Sequence, residues 1–389
     1  MRIAQLANFY GPRSGGLRTA VDALGRGYVA AGHERILLVP GEQDTWAETD
    51  AGLVVTFRAP PLPGTGYRVV LEPWRIHDVL DRLRPTSVEV SDKLTMVAAA
   101  TWARRNRAGS VLLSHERLDT HLAPRVRWRA GLVAGVDALN RKLLRRFDEV
   151  VVTSAFAAEE FARVARRPVR QIPLGVDLET FHPDRASSAR RPKGDVPRLV
   201  HAGRLSREKQ PALAVATAVA LHRQGFAFQF DVYGDGPDRA ALVRLAEGAP
   251  VTFHPYVGDR IALAARLASA DVALSVCPVE TFGLAVLEAL ACGTPVVTSD
   301  RGGGRELVTE ASGAWAPPQP ELLARAVMDV LRRPRSDVRK AAREQAERYP
   351  WAATVKAMLE VHERASSRRG MKAVAPGYLC KDRLRSETT

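Results

Sequence analysis

Cysteine is scarce in this chain of 389 residues. The three present, Cys277, Cys292 and Cys380, are an odd number with no metal-ligand spacing. That argues against a disulfide scaffold and for a reducing compartment. Long apolar runs are missing too: no stretch of about 18 uninterrupted apolar residues occurs, so no membrane-spanning helix is expected. The first residues, Met-Arg-Ile-Ala-Gln-Leu-Ala-Asn, turn polar too soon for a secretory signal and read as a strand. Acidic residues are outnumbered, 43 against 57 Lys and Arg, for a net charge of +14. The imbalance points to an anionic partner: a nucleotide, a nucleic acid or an anionic lipid surface. An Arg- and Ala-rich composition of the kind GC-rich genomes produce is an alternative source of the same surplus. Two phosphate-binding fingerprints are also absent. Residues 11–16 (Gly-Pro-Arg-Ser-Gly-Gly) do not spell G-x-G-x-x-G, and no Gly-Lys-Ser/Thr follows a glycine loop. No recognisable nucleic-acid motif is found.

What is present is ample apolar material, 46% of residues, in a chain long enough for two domains. Strand patterns at 3–7, 36–39, 53–57, 87–90, 111–113 and 150–152 alternate with helical ones, among them 17–31, 95–107 and 127–146. A Pro/Gly-rich loop covers 60–66. This alternation predicts an α/β fold with a parallel, doubly wound (Rossmann-like) sheet. The rhythm breaks over 173–197, which reads as an inter-domain linker. It restarts at Arg198, with strands at 229–233, 251–253, 272–276 and 295–298. From Glu321 the chain is helical to about 365, and 366–389 reads as a disordered basic tail. The expected domains are therefore 1–172 and 198–350.

The second half is organised around residues 278–297, read as strand, loop, helix, turn, strand, with Glu280 and Glu288 in it. If both were helical, eight residues would separate them by about 12 Å along the axis. Paired glycosidase carboxylates sit at roughly 5–9.5 Å, so these two do not fit an acid/base pair on one bond. They fit two grips on a long ligand, or two solvated surface glutamates. Phe282, Gly283 and Leu284 fall at the expected helix amino end, where free amides and the helix dipole suit a phosphate. Gly203-Arg204-Leu205-Ser206-Arg207-Glu208-Lys209 leaves a strand at its carboxyl end, where ligands bind in open α/β sheets. Arg204 and Lys209 there form either a diphosphate clamp or a solvated basic loop. Gly15-Gly16 is a phosphate-friendly turn or a tight turn only. His115, after a strand, suits a cleft or a structural role. The basic stretch 125–146, with Trp128, suits an anionic membrane or a helix packed on the sheet.

Taken in order, the Gly15-Gly16 loop, Leu174-Gly175-Val176-Asp177, the Arg204–Lys209 loop and Glu280 to Glu288 resemble the retaining glycosyltransferases of family 4, with the GT-B fold of two such domains facing a central cleft. Ser114-His115-Glu116-Arg117-Leu118-Asp119 is similar to actinobacterial GDP-mannose-dependent α-mannosyltransferases acting on lipid acceptors. The resemblance implies transfer of mannose from GDP-mannose, with retention, to a lipid-linked or membrane-proximal acceptor. It implies Glu280 at the donor sugar, beside the amides of Phe282, Gly283 and Leu284, and Glu288 at the ribose. Arg204 and Lys209 would meet the diphosphate, Gly16 the phosphates from the other domain, Val257 the base, and His115 the acceptor side of the anomeric carbon. Catalysis would fall to His115, Glu280, Arg204 and Lys209, with no cofactor and no metal, since basic residues replace a cation. Helix 351–365 would cross back onto the first domain. The implied place is the cytoplasm, peripheral on the inner face of the plasma membrane, against anionic lipid and without nucleic acid. Gln210 departs from the family, which often has Gly there, and puts the local turn in question. Behind this reading stand a UDP-sugar enzyme with a soluble or other acceptor and a non-catalytic nucleotide or nucleic-acid binder.

Overall fold

The computed structural model describes residues 1–11, 15–62, 67–123, 126, 128–166, 168–186 and 195–370. Residues 12–14, 63–66, Arg125, Arg127, 187–194 and the expected tail from 371 on lie outside the described residues.

The first half runs β1 (Arg2–Leu6), α1 (Gly15–Ala30), β2 (Glu34–Gly41), β3 (Thr45–Thr49), β4 (Gly52–Arg58), β5 (Pro61–Leu62), β6 (Tyr67–Arg68), α2 (Pro73–Leu83), β7 (Ser87–Val90), α3 (Ala98–Arg105), β8 (Gly109–Ser114), α4 (Leu118–Leu122), α5 (Arg129–Arg146), β9 (Glu149–Val152), α6 (Ala155–Ala162) and β10 (Arg170–Gln171). Eight of these strands form one sheet in the order β10-β9-β8-β7-β1-β2-β4-β3. It is parallel except at its edge, where β3 runs antiparallel to β4. The sequence pattern missed β3, because its side chains are exposed throughout and carry no alternation. It also missed the β5–β6 hairpin flanking residues 63–66.

The second half runs β11 (Arg198–Ala202), α7 (Pro211–Arg223), β12 (Gln229–Tyr233), α8 (Arg239–Leu245), β13 (Val251–His254), α9 (Arg260–Ala268), β14 (Val272–Ser275), α10 (Leu284–Ala291), β15 (Val296–Ser299), β16 (Gly313–Ala316), α11 (Pro320–Leu331), α12 (Arg335–Ala346) and α13 (Trp351–Arg368). Its six strands are ordered β13-β12-β11-β14-β15-β16, all parallel. In both sheets the first strand lies inside and the order reverses beside it, which opens a crevice at the carboxyl ends of the strands.

Each sheet is buried on both faces, as parallel sheets require. Leu6, Val88, Val90 and Leu112 meet α3, α5 and α6 on one face of the first sheet. Ile3, Val111 and Val151 meet α1 and α13 on the other. The chain crosses between halves twice, side by side: Val176 N donates to Tyr349 O at 2.9 Å, and Thr354 Oγ1 to Pro173 O at 2.9 Å. From there α13 packs Val355, Met358, Val361 and Ala365 under the first sheet. The helix does not stop at 365. It continues to Arg368, with Ser366 buried and its Oγ donating to Thr86 O at 3.2 Å, so the first residues assigned to the tail belong to the fold.

A polar network fastens this helix. His362 Nε2 lies 3.0 Å from Glu89 Oε2, and its Nδ1 2.8 Å from Ser87 Oγ. The Tyr28 hydroxyl donates to the same carboxylate at 2.7 Å and Gln5 Nε2 at 2.9 Å. All five side chains are fully buried. A buried carboxylate survives only when its oxygens are satisfied in this way.

Candidate functional site

The loop between β14 and α10 carries the central residues. Glu280 lies in this loop and not in the helix; only Glu288, in the second turn of α10, is helical. The 12 Å axial estimate, which assumed both helical, therefore does not describe the pair. Gly283 caps α10 with φ 105° and ψ 56°, a region that side chains with a Cβ rarely enter. Phe282 is buried in the core.

Lys209 closes a short 3₁₀ turn, Arg207–Lys209, beyond β11. Its Nζ reaches both oxygens of Glu280, at 3.0 and 2.9 Å. Partial desolvation works against the ammonium charge of this 44%-exposed side chain, but the Glu280 carboxylate outweighs it and holds the Lys209 pKa above its ordinary value. Next in sequence, Gln210 takes φ 46° and ψ 48°. The turn that glycine would form freely is thus kept, with a left-handed glutamine in it.

Two helix amino ends meet across the crevice. A methyl group added at Gly16, in the first turn of α1, would lie 3.4 Å from Leu284 Cδ1, the first residue of α10. Both helices direct their amide ends here, so the junction is electropositive before any side chain is counted. Arg204 leaves β11 towards the first domain, where its Nη2 donates to the Tyr67 hydroxyl. Two further bridges join the halves. Ser154 Oγ donates to Thr281 O at 2.5 Å, and Glu306 accepts from Ala155 N and Phe156 N at 2.9 and 2.8 Å, capping α6 from the other domain.

In the second turn of α10, Glu288 is 15% exposed and ion-paired with Arg260 at 3.4 Å. Burial raises its pKa to about 7, with Arg260 pulling the other way. Arg260 also stacks over the Phe181 ring, 4.8 Å from its centroid, so the linker, α9 and α10 meet at this carboxylate. Val257 sits half-buried in the loop after β13.

On the first-domain side, His115 follows β8. Burial lowers its pKa to about 4, so it is neutral at physiological pH. Its Nε2 is buried with no hydrogen-bond partner among the described residues, as are Ser91 Oγ and Thr153 Oγ1. These three follow the carboxyl ends of β8, β7 and β9, which are neighbours in the sheet. Each continues the strand alternation that faces α13, so they share one rim of the crevice.

Glu280, Lys209, Phe282, Gly283, Leu284 and Gly16 are thus gathered at one junction, with Arg204 at the domain contact. Glu288 stands apart with Arg260. Among the described residues no group of three His, Cys, Asp or Glu side chains could hold a metal ion. Tyr67, Arg260, Glu306, Ser91 and Thr153 escaped the sequence reading. Nothing local marks them, except that Arg260 opens α9 three residues after Val257.

The basic helix of 127–146 begins at Arg129, and it packs Val136, Asn140 and Leu143 inward. Leu143 of its apolar stripe packs in the first-domain core, while Val133 near its start is exposed and Arg129, Arg141, Lys142 and Arg145 face solvent. The most exposed large apolar side chains are Leu71 and Trp74 at the start of α2, Leu94 after β7, and Trp128, 74% exposed, before α5. All four sit at the carboxyl side of the first sheet. No helix among the described residues is long and apolar enough to cross a membrane.

Residues 14–180 match the family model described as Glycosyltransferase Family 4, and residues 184–349 the one described as Glycosyl transferases group 1. The "GDP-mannose-dependent alpha-(1-6)-phosphatidylinositol dimannoside mannosyltransferase" of Mycobacterium tuberculosis (strain ATCC 25177 / H37Ra) is 44% identical over 364 residues, 92% of this chain and 95% of that protein. The corresponding "phosphatidylinositol monomannoside mannosyltransferase" of Mycobacterium tuberculosis (strain CDC 1551 / Oshkosh) is 27% identical over 79% of this chain and 82% of that protein. Among solved structures, sucrose-phosphate synthase from Thermosynechococcus elongatus superposes with a TM-score of 0.75 at 22% identity, over 95% of this chain and 100% of that one. Anabaena Alr3699/HepE in complex with UDP and glucose does so with a TM-score of 0.70 at 19% identity, over 92% and 98%. At such identities these structures speak for the shared fold alone.

Proposed function

The chain belongs to glycosyltransferase family 4, with the GT-B arrangement of two Rossmann-like domains, and on that premise we propose that it transfers mannose from GDP-mannose, with retention, to a phosphatidylinositol mannoside-type lipid at a membrane surface. The donor lies along α10. Glu280 takes the sugar hydroxyls, the amides of Phe282, Gly283 and Leu284 take sugar and phosphate, Arg204 and Lys209 neutralise the diphosphate, and Glu288 holds the ribose. Gly16 closes on the phosphates, Val257 borders the base, and His115 faces the anomeric carbon from the acceptor side. The observation that carries the donor half is the meeting of the α1 and α10 amino ends within reach of Lys209 and Arg204.

The chemistry follows from what is near the sugar. Both oxygens of Glu280 are taken up by Lys209, which does not leave it poised as a free nucleophile. We therefore favour front-face attack, in which the departing phosphate accepts the acceptor hydroxyl's proton as the glycosidic bond breaks. Neutral His115 orients the incoming hydroxyl and carries no charge. Fixed cations supply the charge stabilisation a metal would give, so the reading takes no metal.

The lipid half is supported by the mycobacterial relative's printed activity and by the exposed Leu71, Trp74, Leu94 and Trp128 beside the crevice. Aromatic side chains with basic neighbours suit the headgroup level of an anionic membrane. The enzyme then works as a peripheral protein on the cytoplasmic face. Turnover of GDP-mannose against UDP-glucose, with phosphatidylinositol mannosides in vesicles as acceptor and the product read by mass spectrometry, tests both halves. UDP-glucose preference or a soluble product overturns the corresponding half.

A further inference from the structure

Arg204 belongs to the second domain, yet its partner belongs to the first. Besides the hydrogen bond to the Tyr67 hydroxyl, the guanidinium carbon lies 5.1 Å from the Tyr67 ring centroid. Tyr67 is itself held from behind. Phe9, in the loop after β1, packs edge-on against it, with centroids 5.8 Å apart and planes at 87°. Phe9 reaches that place with φ 58°, a conformation disfavoured for an aromatic residue and retained where surrounding structure enforces it. The same loop clamps the segment just after the strand that carries Tyr67. Buried Asn8 accepts from Val70 N at 2.9 Å and donates to Val70 O at 3.4 Å.

An arginine guanidinium is a planar fork of five donors. Held by Tyr67 through one donor and one face, the guanidinium plane is fixed in a set orientation. We propose that Tyr67 is a positioning residue for Arg204: docking of the first domain on the second fixes the guanidinium in the orientation that meets the leaving diphosphate. This rests on the function proposed above. Charge builds on the diphosphate as the glycosidic bond lengthens. An arginine oriented only in the docked state therefore acts more on the transition state than on donor binding.

The test is a double-mutant cycle, Tyr67→Phe and Tyr67→Ala each with and without Arg204→Ala, read by turnover and by calorimetric titration with GDP, which carries the charge of the leaving group. A hydrogen bond to a charged group predicts a kcat loss of roughly 10- to 100-fold for Tyr67→Phe and more for Tyr67→Ala, with donor KM within about twofold. GDP binding should weaken in parallel and melting temperature stay unchanged. In the Arg204→Ala background both Tyr67 effects should shrink below about twofold. Additive effects overturn the proposal, and so does a loss confined to donor KM. If the protein turns over no sugar nucleotide, the function reading fails while the GDP cycle still decides Tyr67. Failure to bind GDP as well overturns both.

Discussion

Glu288→Gln separates what the site needs from what the fold prefers. The unfolded chain ionises at this position near 4.5, whereas in the folded protein burial lifts the pKa to about 7. A shift of that size corresponds to about 3 kcal/mol. The folded-state pKa is raised, so the neutral form is the one the fold favours. Its stabilisation is fully present below about pH 4.5, falls as the pH rises, and is lost above about pH 7. Glutamine keeps the shape and stays neutral throughout. Without ligand, the stability of Glu288→Gln relative to wild type should therefore rise by about 3 kcal/mol across that interval. Arg260 is 41% exposed and can exchange its lost partner for water, a correction of under about 1 kcal/mol. For a domain of this size the gain is roughly 6–12 °C of melting temperature at about pH 8, shrinking towards zero near pH 5. Scanning calorimetry across that range reads it directly. The same variant should bind GDP about tenfold more weakly at pH 8, since a buried carboxylate accepts hydroxyl hydrogen bonds more strongly than an amide. A stability difference that does not vary with pH refutes the reasoning.

Other outcomes follow from the same geometry. Lys209→Ala and Glu280→Ala should each lower kcat by about 10²- to 10³-fold, the usual effect of removing one group that stabilises developing charge; near-wild-type transfer by either displaces the donor site. Gln210→Gly should stabilise the second domain by up to about 1 kcal/mol in chemical denaturation, because glycine enters the left-handed region without strain, and a clear loss of stability would contradict the strained turn. His362→Ala leaves Glu89 buried beside Tyr28 and Gln5 without its imidazole, and should cost about 3 kcal/mol, seen as a lower first-domain melting temperature with the donor KM unchanged. Trp74→Ala combined with Trp128→Ala should reduce sedimentation with phosphatidylinositol vesicles while leaving GDP binding intact; undiminished sedimentation argues against that rim as the membrane contact.

Much of the architecture could be read directly from the residues. The strand patterns at 3–7, 87–90, 111–113 and 229–233 correspond to β1, β7, β8 and β12, because each shows a strand signature within itself: alternation in Ser-Val-Glu-Val and Gln-Phe-Asp-Val-Tyr, a short apolar run in Val-Leu-Leu. Gly283 also had to be what it is, since the start of α10 takes a positive φ. The misses have equally local causes. Exposed β3 has no apolar period, and α13 outruns 365 because Ser366, polar in sequence, is buried against Thr86. Glu280 was placed on a helix only conditionally, and whether the loop or the helix holds it depends on where Gly283 turns the backbone.

The sequence by itself determined the two alternating halves, the break between them, and the order of residues from Gly16 through Lys209 to Glu288. Propensity and apolar period act over one element at a time, and those features are written within single elements. Only the tertiary structure decided the pairings: Lys209 with Glu280, Arg260 with Glu288, Arg204 with Tyr67, and Glu306 with the amino end of α6. Each joins groups at least 28 residues apart, and Arg204 and Tyr67 are 137 apart. Such meetings depend on how two sheets and the helices around them pack, which no local pattern encodes.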